Sequence, residues 1–377
     1  MKHNLVIHPP LLNSSNPWCS TLEQLQALYA SPHTGAVTTR TSLLDGFPND
    51  SAHHQFAFYN PATHNAAEPN AESSASPDQT GSLNTLGYSP LPLATYLGFI
   101  KIISDSLPSP AAHSTEKDPT HTPKPFIISV TGTPSDVAEC YRQICALQHK
   151  VLMVLAMEVN LSCPNIPGKP PPAYDSEALL AYLLELKTEV GRQLDSEIET
   201  SKHGKIHVPI GIKTPPYTYQ DQYEQLISAL LSSANISEPK DLPCPVSFIT
   251  ATNTLGSSLL LTPQIDSTPL SPGGSKAREV FHHTLNSANG TGIGGLAGAP
   301  LHPLALGNVY TIKGMLFQYK ELEHIHIIGV GGVEDAEGFL RMRAVGAAAV
   351  GVGTALGRKG VNVFEEIGEA LQGRGSH

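Results

Sequence analysis

The stretch Met157-Glu-Val-Asn-Leu-Ser-Cys-Pro-Asn-Ile-Pro-Gly-Lys-Pro170 decides how the chain is read. An apolar run from Val151 to Ala156 leads straight into it, as a parallel strand buried on both faces does. The run ends in amides, a hydroxyl and a thiol: Asn160, Ser162, Cys163 and Asn165. Polar groups crowded at the end of a buried strand cost free energy unless they meet a ligand or one another. Pro164, Pro167, Gly168 and the run Pro170-Pro171-Pro172 then exclude both helix and sheet. The stretch therefore reads as a sulfur at the mouth of a buried strand, on a constrained loop.

Outward from this strand the same rhythm repeats. Strands are predicted to start near Leu11, Ala36, Phe126, Val154, Val208, Val246, Ile325 and Ala348. Helical stripes separate them. Thr21 caps Leu22, Leu25, Leu28 and Tyr29; a proline opens Pro92 to Leu107; Ser135 caps a helix to about His149. Asp175 or Ser176 caps a leucine-rich helix, and Tyr223, Leu226, Ile227, Leu230 and Leu231 form a further stripe. Gly290 to Gly298 reads as a glycine-rich turn, followed by helices at Pro303 to Leu316, Glu334 to Ala344 and Asn362 to Leu371. Alternation of this length predicts an α/β fold, a (β/α)8 TIM barrel in one domain over residues 1–377. A doubly wound open sheet gives the same local patterns and stays open at this point. Polar stretches near 61–81, 108–124 and 262–287 read as surface insertions.

Composition narrows the function. The formal charge is -10 without a basic run, which argues against nucleic acid, and 17 histidines make that charge sensitive to mild acid. No apolar stretch approaches a bilayer span, and the start at Met1 to Pro10 has no signal-peptide or transit pattern, so a cytoplasmic location without membrane contact is expected. Cys19, Cys140, Cys145, Cys163 and Cys244 are scattered and odd in number, the pattern of free thiols rather than of an iron–sulfur or zinc site; no metal is expected.

In a barrel the active site lies at the C-terminal rim of the strands. The predicted strands end on Asn13 to Asn16, Arg40, Thr131, Asn160 to Asn165, Lys213, Thr252 to Thr254, Gly331-Gly332 and Gly353-Thr354. Glycine turns after the last two strands expose backbone N–H groups, which suits a phosphate, although each alone is an ordinary turn. Lys213 ends an apolar strand and is read as a fixed positive charge beside an electron-rich ring. Asn84, Asn160, Asn165 and Asn253 are plausible turn residues singly; converging on one rim, they suit a flat ligand with alternating N–H and C=O groups.

Asn160-Leu-Ser-Cys-Pro-Asn-Ile-Pro-Gly-Lys-Pro170 closely resembles the active-site loop of class 1A dihydroorotate dehydrogenases. Gly211-Ile-Lys-Thr-Pro-Pro-Tyr217, Gly292-Ile-Gly-Gly295, Gly329-Val-Gly-Gly332 and Gly351-Val-Gly-Thr-Ala-Leu356 resemble further family motifs, in the expected order. The resemblance implies an FMN-bearing barrel that oxidises dihydroorotate to orotate, as a homodimer with a soluble acceptor such as fumarate. It implies Cys163 as the base and Lys213 as the lysine that steadies charge on the flavin. Arg40, Asn84, Leu86, Gly87, Asn160, Asn165, Asn253 and Thr254 become the substrate-binding set. Ser15, Arg40, Asn160, Lys213, Gly295, Gly331, Gly332, Gly353 and Thr354 become the FMN set. A base cysteine and no N-terminal hydrophobic arm separate the chain from the membrane-bound class.

The chain also departs from the family pattern. Arg40 stands where the family has lysine, Asn16 where it has a small residue able to face a flavin, and Thr250-Ala-Thr-Asn253 where it has Asn-Ser-Val-Asn. Tyr88-Ser-Pro90 replaces Leu-Pro-Asn. These departures keep open a paralogue acting on another cyclic amide or enone, and the long polar stretches a catalytically silent flavin-binding protein.

Overall fold

The computed structural model describes residues 5–71, 76–108, 123–166, 168, 170–200, 208–237, 242–266 and 278–374. The predicted insertion at 108–124 lies almost wholly outside them. The chain runs β1 (Leu11–Asn13), α1 (Leu22–Ala30), β2 (Val37–Thr38), β3 (Phe56–Tyr59), β4 (Gly81–Asn84), α2 (Leu93–Ser106), β5 (Phe126–Val130) and α3 (Pro134–Gln148). It continues through β6 (Leu155–Asn160), α4 (Ser176–Thr200), β7 (Ile210–Thr214), α5 (Gln220–Asn235), β8 (Val246–Ala251), β9 (Leu255–Ser258), β10 (Leu261–Asp266), β11 (Arg278–His283) and β12 (Gly294–Gly298). It ends with α6 (His302–Leu316), β13 (His326–Val330), α7 (Ala336–Ala344), β14 (Ala349–Val352), α8 (Thr354–Lys359) and α9 (Asn362–Arg374).

Eight of these strands form one parallel sheet in the order β1-β14-β13-β8-β7-β6-β5-β2. A parallel bridge between Leu12 and Ala36 brings its two edges together, so the sheet closes into a (β/α)8 barrel. Backbone pairing is thin at this seam because β2 has only two residues. The side chain of Asn13 makes up the difference: its Nδ2 donates to Thr38 O at 2.6 Å and its Oδ1 accepts from Thr38 N at 2.9 Å.

Strand alternation sorts the core into two layers. Phe126, Ile128, Val130, Leu155, Met157, Val159 and Ile212 face the helices and merge with their apolar stripes. Leu12, Ala36, Ile127, Ala156, Phe248, Ile328 and Ala349 plug the barrel from inside. The Phe248 ring occupies the space where a Cβ at Gly211 would come within 2.1 Å of it, so this layer needs glycine at that place. One layer higher the interior turns polar: the Glu158 carboxylate accepts from Ser129 Oγ at 2.9 Å and Thr250 Oγ1 at 2.6 Å.

Several details differ from the sequence reading. β6 begins at Leu155, four residues after the apolar run does. Thr133, not Ser135, caps α3, because Pro134 takes the first helical position and Thr133 Oγ1 accepts from Asp136 N at 3.2 Å. Asp175 caps α4, its Oδ1 accepting from Ala178 N at 2.7 Å. The glycine-rich turn at 290–298 is half strand: β12 pairs with β4 and with β9 in a four-stranded antiparallel sheet, order β3-β4-β12-β9. The stretch at 262–287 contains the antiparallel ribbon of β10 and β11. Part of the stretch at 61–81 folds back so that Ala66 bridges Tyr59. Among the described residues no helix is long and apolar enough to cross a membrane.

The antiparallel sheet sits at the C-terminal end of the barrel, since its strands follow β2 and β8. Ala57, Tyr59, Leu83, Leu260 and Leu285 form its own apolar cluster. Trp18, in the loop after β1, stacks on Phe58 at 5.6 Å and meets Phe56 edge-on at 5.3 Å, which ties this sheet to the barrel.

Replacing Asn13 with alanine leaves both Thr38 backbone groups at the seam without partners. The variant is expected to lose about 1–3 kcal/mol of stability. A lowered urea midpoint at unchanged slope is the predicted reading, and an unchanged midpoint contradicts the seam assignment.

Candidate active site

Between the barrel rim and the antiparallel sheet lies a cleft with about 1020 Å³ of free space, part of it open to solvent. Its floor is made by the polar ends of the barrel strands. Asn160 closes β6 and Lys213 sits beside it in register on β7. Because Glu158, Asn160 and Cys163 follow so closely, the strand delivers a carboxylate to the interior and then an amide and a thiol to the cleft.

Asn160 is the hub of the floor. Its Nδ2 donates to Thr41 Oγ1 at 3.1 Å, and its Oδ1 accepts from Ser162 Oγ at 2.9 Å and Asn253 Nδ2 at 3.2 Å. Asn253 also donates to Ser162 Oγ at 2.9 Å. Thr41 in turn bonds Ser15 Oγ at 3.0 Å and Ser129 Oγ at 2.9 Å. The loops after β1, β2, β6 and β8 are thus laced together through side chains.

A second knot joins the floor to the sheet above. Asn165 Nδ2 donates to Asn84 Oδ1 at 3.0 Å and to Leu86 O at 2.9 Å, while Asn84 Nδ2 donates to Gly295 O at 3.2 Å. The four amides singled out in the sequence do converge, as two mutually bonded pairs. Of the predicted site residues, Gly295 alone is outside the lining. It lies in β12 behind Asn84, where a Cβ would come within 2.1 Å of Thr254 Oγ1.

Charge is distributed unevenly across the cleft. Lys213 is 4% exposed, and among the described residues its ammonium makes no hydrogen bond or ion pair. A buried cation in that condition calls for an anionic or electron-rich ligand. Arg40 is turned towards the adjoining loop, with Nη2 3.3 Å from Tyr88 O and 3.5 Å from Gly87 O; burial lowers its pKa. Asn16 lines the cleft with its side chain tied to its own loop: Oδ1 accepts from Trp18 N and Nδ2 donates to Ser14 O, both at 2.8 Å. The Thr252 hydroxyl, on the cleft wall, is buried without a partner among the described residues.

At the far end, Gly298, Gly331, Gly332, Gly353 and Thr354 form a rim. Gly332 has φ +68°, and a Cβ there would lie 2.7 Å from Gly298 O, so only glycine lets these segments approach. His302 holds the rim from behind. Its Nε2 accepts from Arg341 Nε at 3.1 Å, which fixes the proton on Nδ1, and Nδ1 donates to Gly331 O at 2.7 Å. Neither His302 nor Arg341 stands in a motif, so nothing in the primary structure pointed to the pair. Trp18, Phe56 and Ser82 also line the cleft and were not foreseen, because none of them ends a predicted barrel strand.

Cys163 differs from the other cysteines. Cys19, Cys140, Cys145 and Cys244 are buried, whereas Cys163 keeps a surface on the cleft. Burial of the sulfur raises its pKa, and the Asn165 backbone, Lys213 and the Tyr88 hydroxyl each pull it back in part.

With this geometry in place, the comparisons identify the class. Residues 54–262 and 274–374 match the sequence model described as dihydroorotate dehydrogenase. The chain belongs to the dihydroorotate dehydrogenase family. A Trypanosoma cruzi relative named dihydroorotate dehydrogenase (fumarate) is 27% identical over 377 residues, spanning 98% of this chain and 92% of its own. Dihydroorotate dehydrogenase A (fumarate) of Lactococcus lactis subsp. cremoris is 26% identical, spanning 96% of this chain and 89% of its own. The ligand-free type DHODH from Eimeria tenella superposes with a TM-score of 0.62 at 16% identity, over 97% of this chain and 84% of that one, a likeness of fold.

Limited alkylation of the native protein with iodoacetamide is expected to modify Cys163 before any other cysteine. Because its pKa is raised, the rate should still be climbing at about pH 8.5, the midpoint of an ordinary thiol. Peptide mapping that finds another cysteine modified first contradicts the site.

Proposed function

We propose that this chain oxidises (S)-dihydroorotate to orotate with FMN as its resident cofactor and passes the electrons to a soluble acceptor, fumarate. The observation that carries the reading is the thiol of Cys163 and the Lys213 ammonium, unpaired among the described residues, on one cleft whose walls are paired amides. The donor set also fits a flavin. Among the described residues, a buried lysine without an ion pair, a Thr252 hydroxyl without a partner and the positive-φ glycines Gly298, Gly331 and Gly332 match an electron-rich ring carrying a phosphate tail.

FMN, when bound, supplies the two-electron acceptor for the hydride on C6 of the ring. Lys213, Ser15, Asn160 and Arg40 would hold its ring system, and Gly331, Gly332, Gly353 and Thr354 its phosphate. Cys163 takes the C5 proton onto sulfur, and loss of the proton and the hydride leaves the C5=C6 double bond of orotate. Asn84, Asn165, Asn253 and Thr254, with the backbone around Leu86 and Gly87, hold the ring's N–H, C=O and carboxylate groups. The knot of Asn165 on Asn84 and Leu86 keeps these donors in place before the ring arrives. The reading carries with it a cytoplasmic homodimer of single-domain protomers, with the polar stretches as insertions.

A different cyclic amide is the second reading, and Tyr88, a departure from the family pattern that lines the cleft, favours it. Equal or faster turnover of dihydrouracil than of dihydroorotate would establish it.

The sulfur must be ionised to accept a proton, so the raised pKa sets the direction of the pH dependence. Turnover of dihydroorotate should rise with pH across the neutral range, as the thiolate fraction grows. Cys163→Ala should retain bound flavin and lose about 100-fold or more in kcat, the usual worth of a general base. Full activity in that variant, or a rate independent of pH, contradicts the assignment.

A further inference from the structure

Beneath the cleft floor lies a buried carboxyl group to which the roles assigned above give nothing to do. Glu158 is 2% exposed, and among the described residues it has two hydroxyl donors, Ser129 and Thr250, and no ion pair. From Ser129 an unbroken chain of hydroxyls leads up to the cleft. Ser129 Oγ lies 2.9 Å from Thr41 Oγ1, which lies 3.0 Å from Ser15 Oγ. Ser15 and Thr41 line the cleft; Ser129 and Glu158 do not.

Counting hydrogens fixes the direction of every link. An ionised carboxylate has none to give, so Ser129 Oγ donates to Glu158 Oε1 at 2.9 Å. With its one hydrogen spent there, Ser129 accepts from Thr41. Thr41 Oγ1 also accepts from Asn160 Nδ2 at 3.1 Å, and Asn160 Oδ1 is held by Ser162 and Asn253, so the amide is fixed this way round. Thr41 has spent its own hydrogen on Ser129, so Ser15 donates to Thr41. Ser15 Oγ further accepts from Thr41 N at 2.8 Å. What remains at Ser15 for a ligand is one lone pair and no hydrogen.

We propose that Glu158 is a positioning residue for the bound cofactor: through Ser129 and Thr41 it turns the hydroxyl hydrogens inward and leaves Ser15 to meet the ring as an acceptor only. The proposal rests on the reading of the cleft as a flavin site with Ser15 among the residues that hold the ring. A group of the ring that meets Ser15 must bring the hydrogen itself. Reduction adds N–H to a flavin ring, so this contact favours the reduced form over the oxidised one and raises the reduction potential. The charge of Glu158 acts the other way, since an anion below the floor opposes added electron density above it. A test of the relay therefore has to leave the carboxylate in place.

Ser129→Ala does so. It cuts the chain outside the cleft, returns the Thr41 hydrogen to Ser15 and frees the Ser15 hydrogen for the ligand. The midpoint potential of bound FMN is measured in wild type, Ser129→Ala, Ser15→Ala and the double variant, by reductive titration against reference dyes without substrate. Ser129→Ala should lower the potential by about 30 mV, a roughly tenfold loss of preference for the reduced ring in a two-electron couple and the scale of one hydrogen bond. In the Ser15→Ala background the same substitution should add no further shift, whereas an effect through the charge of Glu158 would persist there. An unchanged potential in Ser129→Ala, or an equal shift in both backgrounds, overturns the proposal; if Ser129→Ala does not fold, a wild-type potential in Ser15→Ala does so. A wild type that takes up no FMN, or whose flavin dihydroorotate does not reduce, counts against the functional reading instead, so the two failures are distinct.

Discussion

The side chain of Asn160 is the interaction on which the rest of the site depends. It closes the central strand and bonds Thr41, Ser162 and Asn253, residues from three different parts of the barrel rim. A buried amide that left any of these contacts unmade would be costly, so the network either forms as a whole or disturbs the whole rim. Through Thr41 it reaches Ser15 and Ser129, and through Ser129 it reaches the buried Glu158. The polarity of the cleft thus grades into the barrel: an apolar plug, a hydrogen-bonded carboxylate, then amides, a cation and a thiol.

This grading explains how one fold can present reactive groups without losing its core. The plug of Leu12, Ile127, Phe248 and Ile328 carries the apolar burial, well below the chemistry. The upper layers give up that burial and replace it with paired hydrogen bonds. Lys213 is the exception, a desolvated charge unbalanced by any hydrogen bond or ion pair among the described residues. Such a charge is tolerable where a ligand completes it, which is why the cation points to function more sharply than the amides do.

Much of the barrel was legible because buried parallel strands write themselves as short apolar runs between helical stripes. The rim was legible for the same reason: a strand that ends abruptly in Asn, Lys or Gly-Gly marks where the apolar interior stops. The antiparallel sheet over the mouth was not. Phe56–Tyr59 and Gly294–Gly298 are too short or too rich in glycine to show a period, and Gly294–Gly298 pairs with a strand far back in the chain, Gly295 opposite Asn84. Thr133 was hidden as a cap by the Ser135 that follows it. Asn16 was visible as a departure in size, but its bonds to Ser14 and Trp18 were not. His302 and Arg341 belong to separate helices whose approach only the folded chain reveals.

On the proposed function, the Asn160 network shapes a single cleft in which one small ring loses a proton to sulfur and a hydride to a flavin. The decisive measurement is the visible spectrum of the flavin-loaded protein mixed with dihydroorotate in the absence of oxygen. Rapid loss of the oxidised flavin absorbance is expected, restored on adding fumarate. A spectrum that stays fully oxidised after prolonged mixing would contradict it.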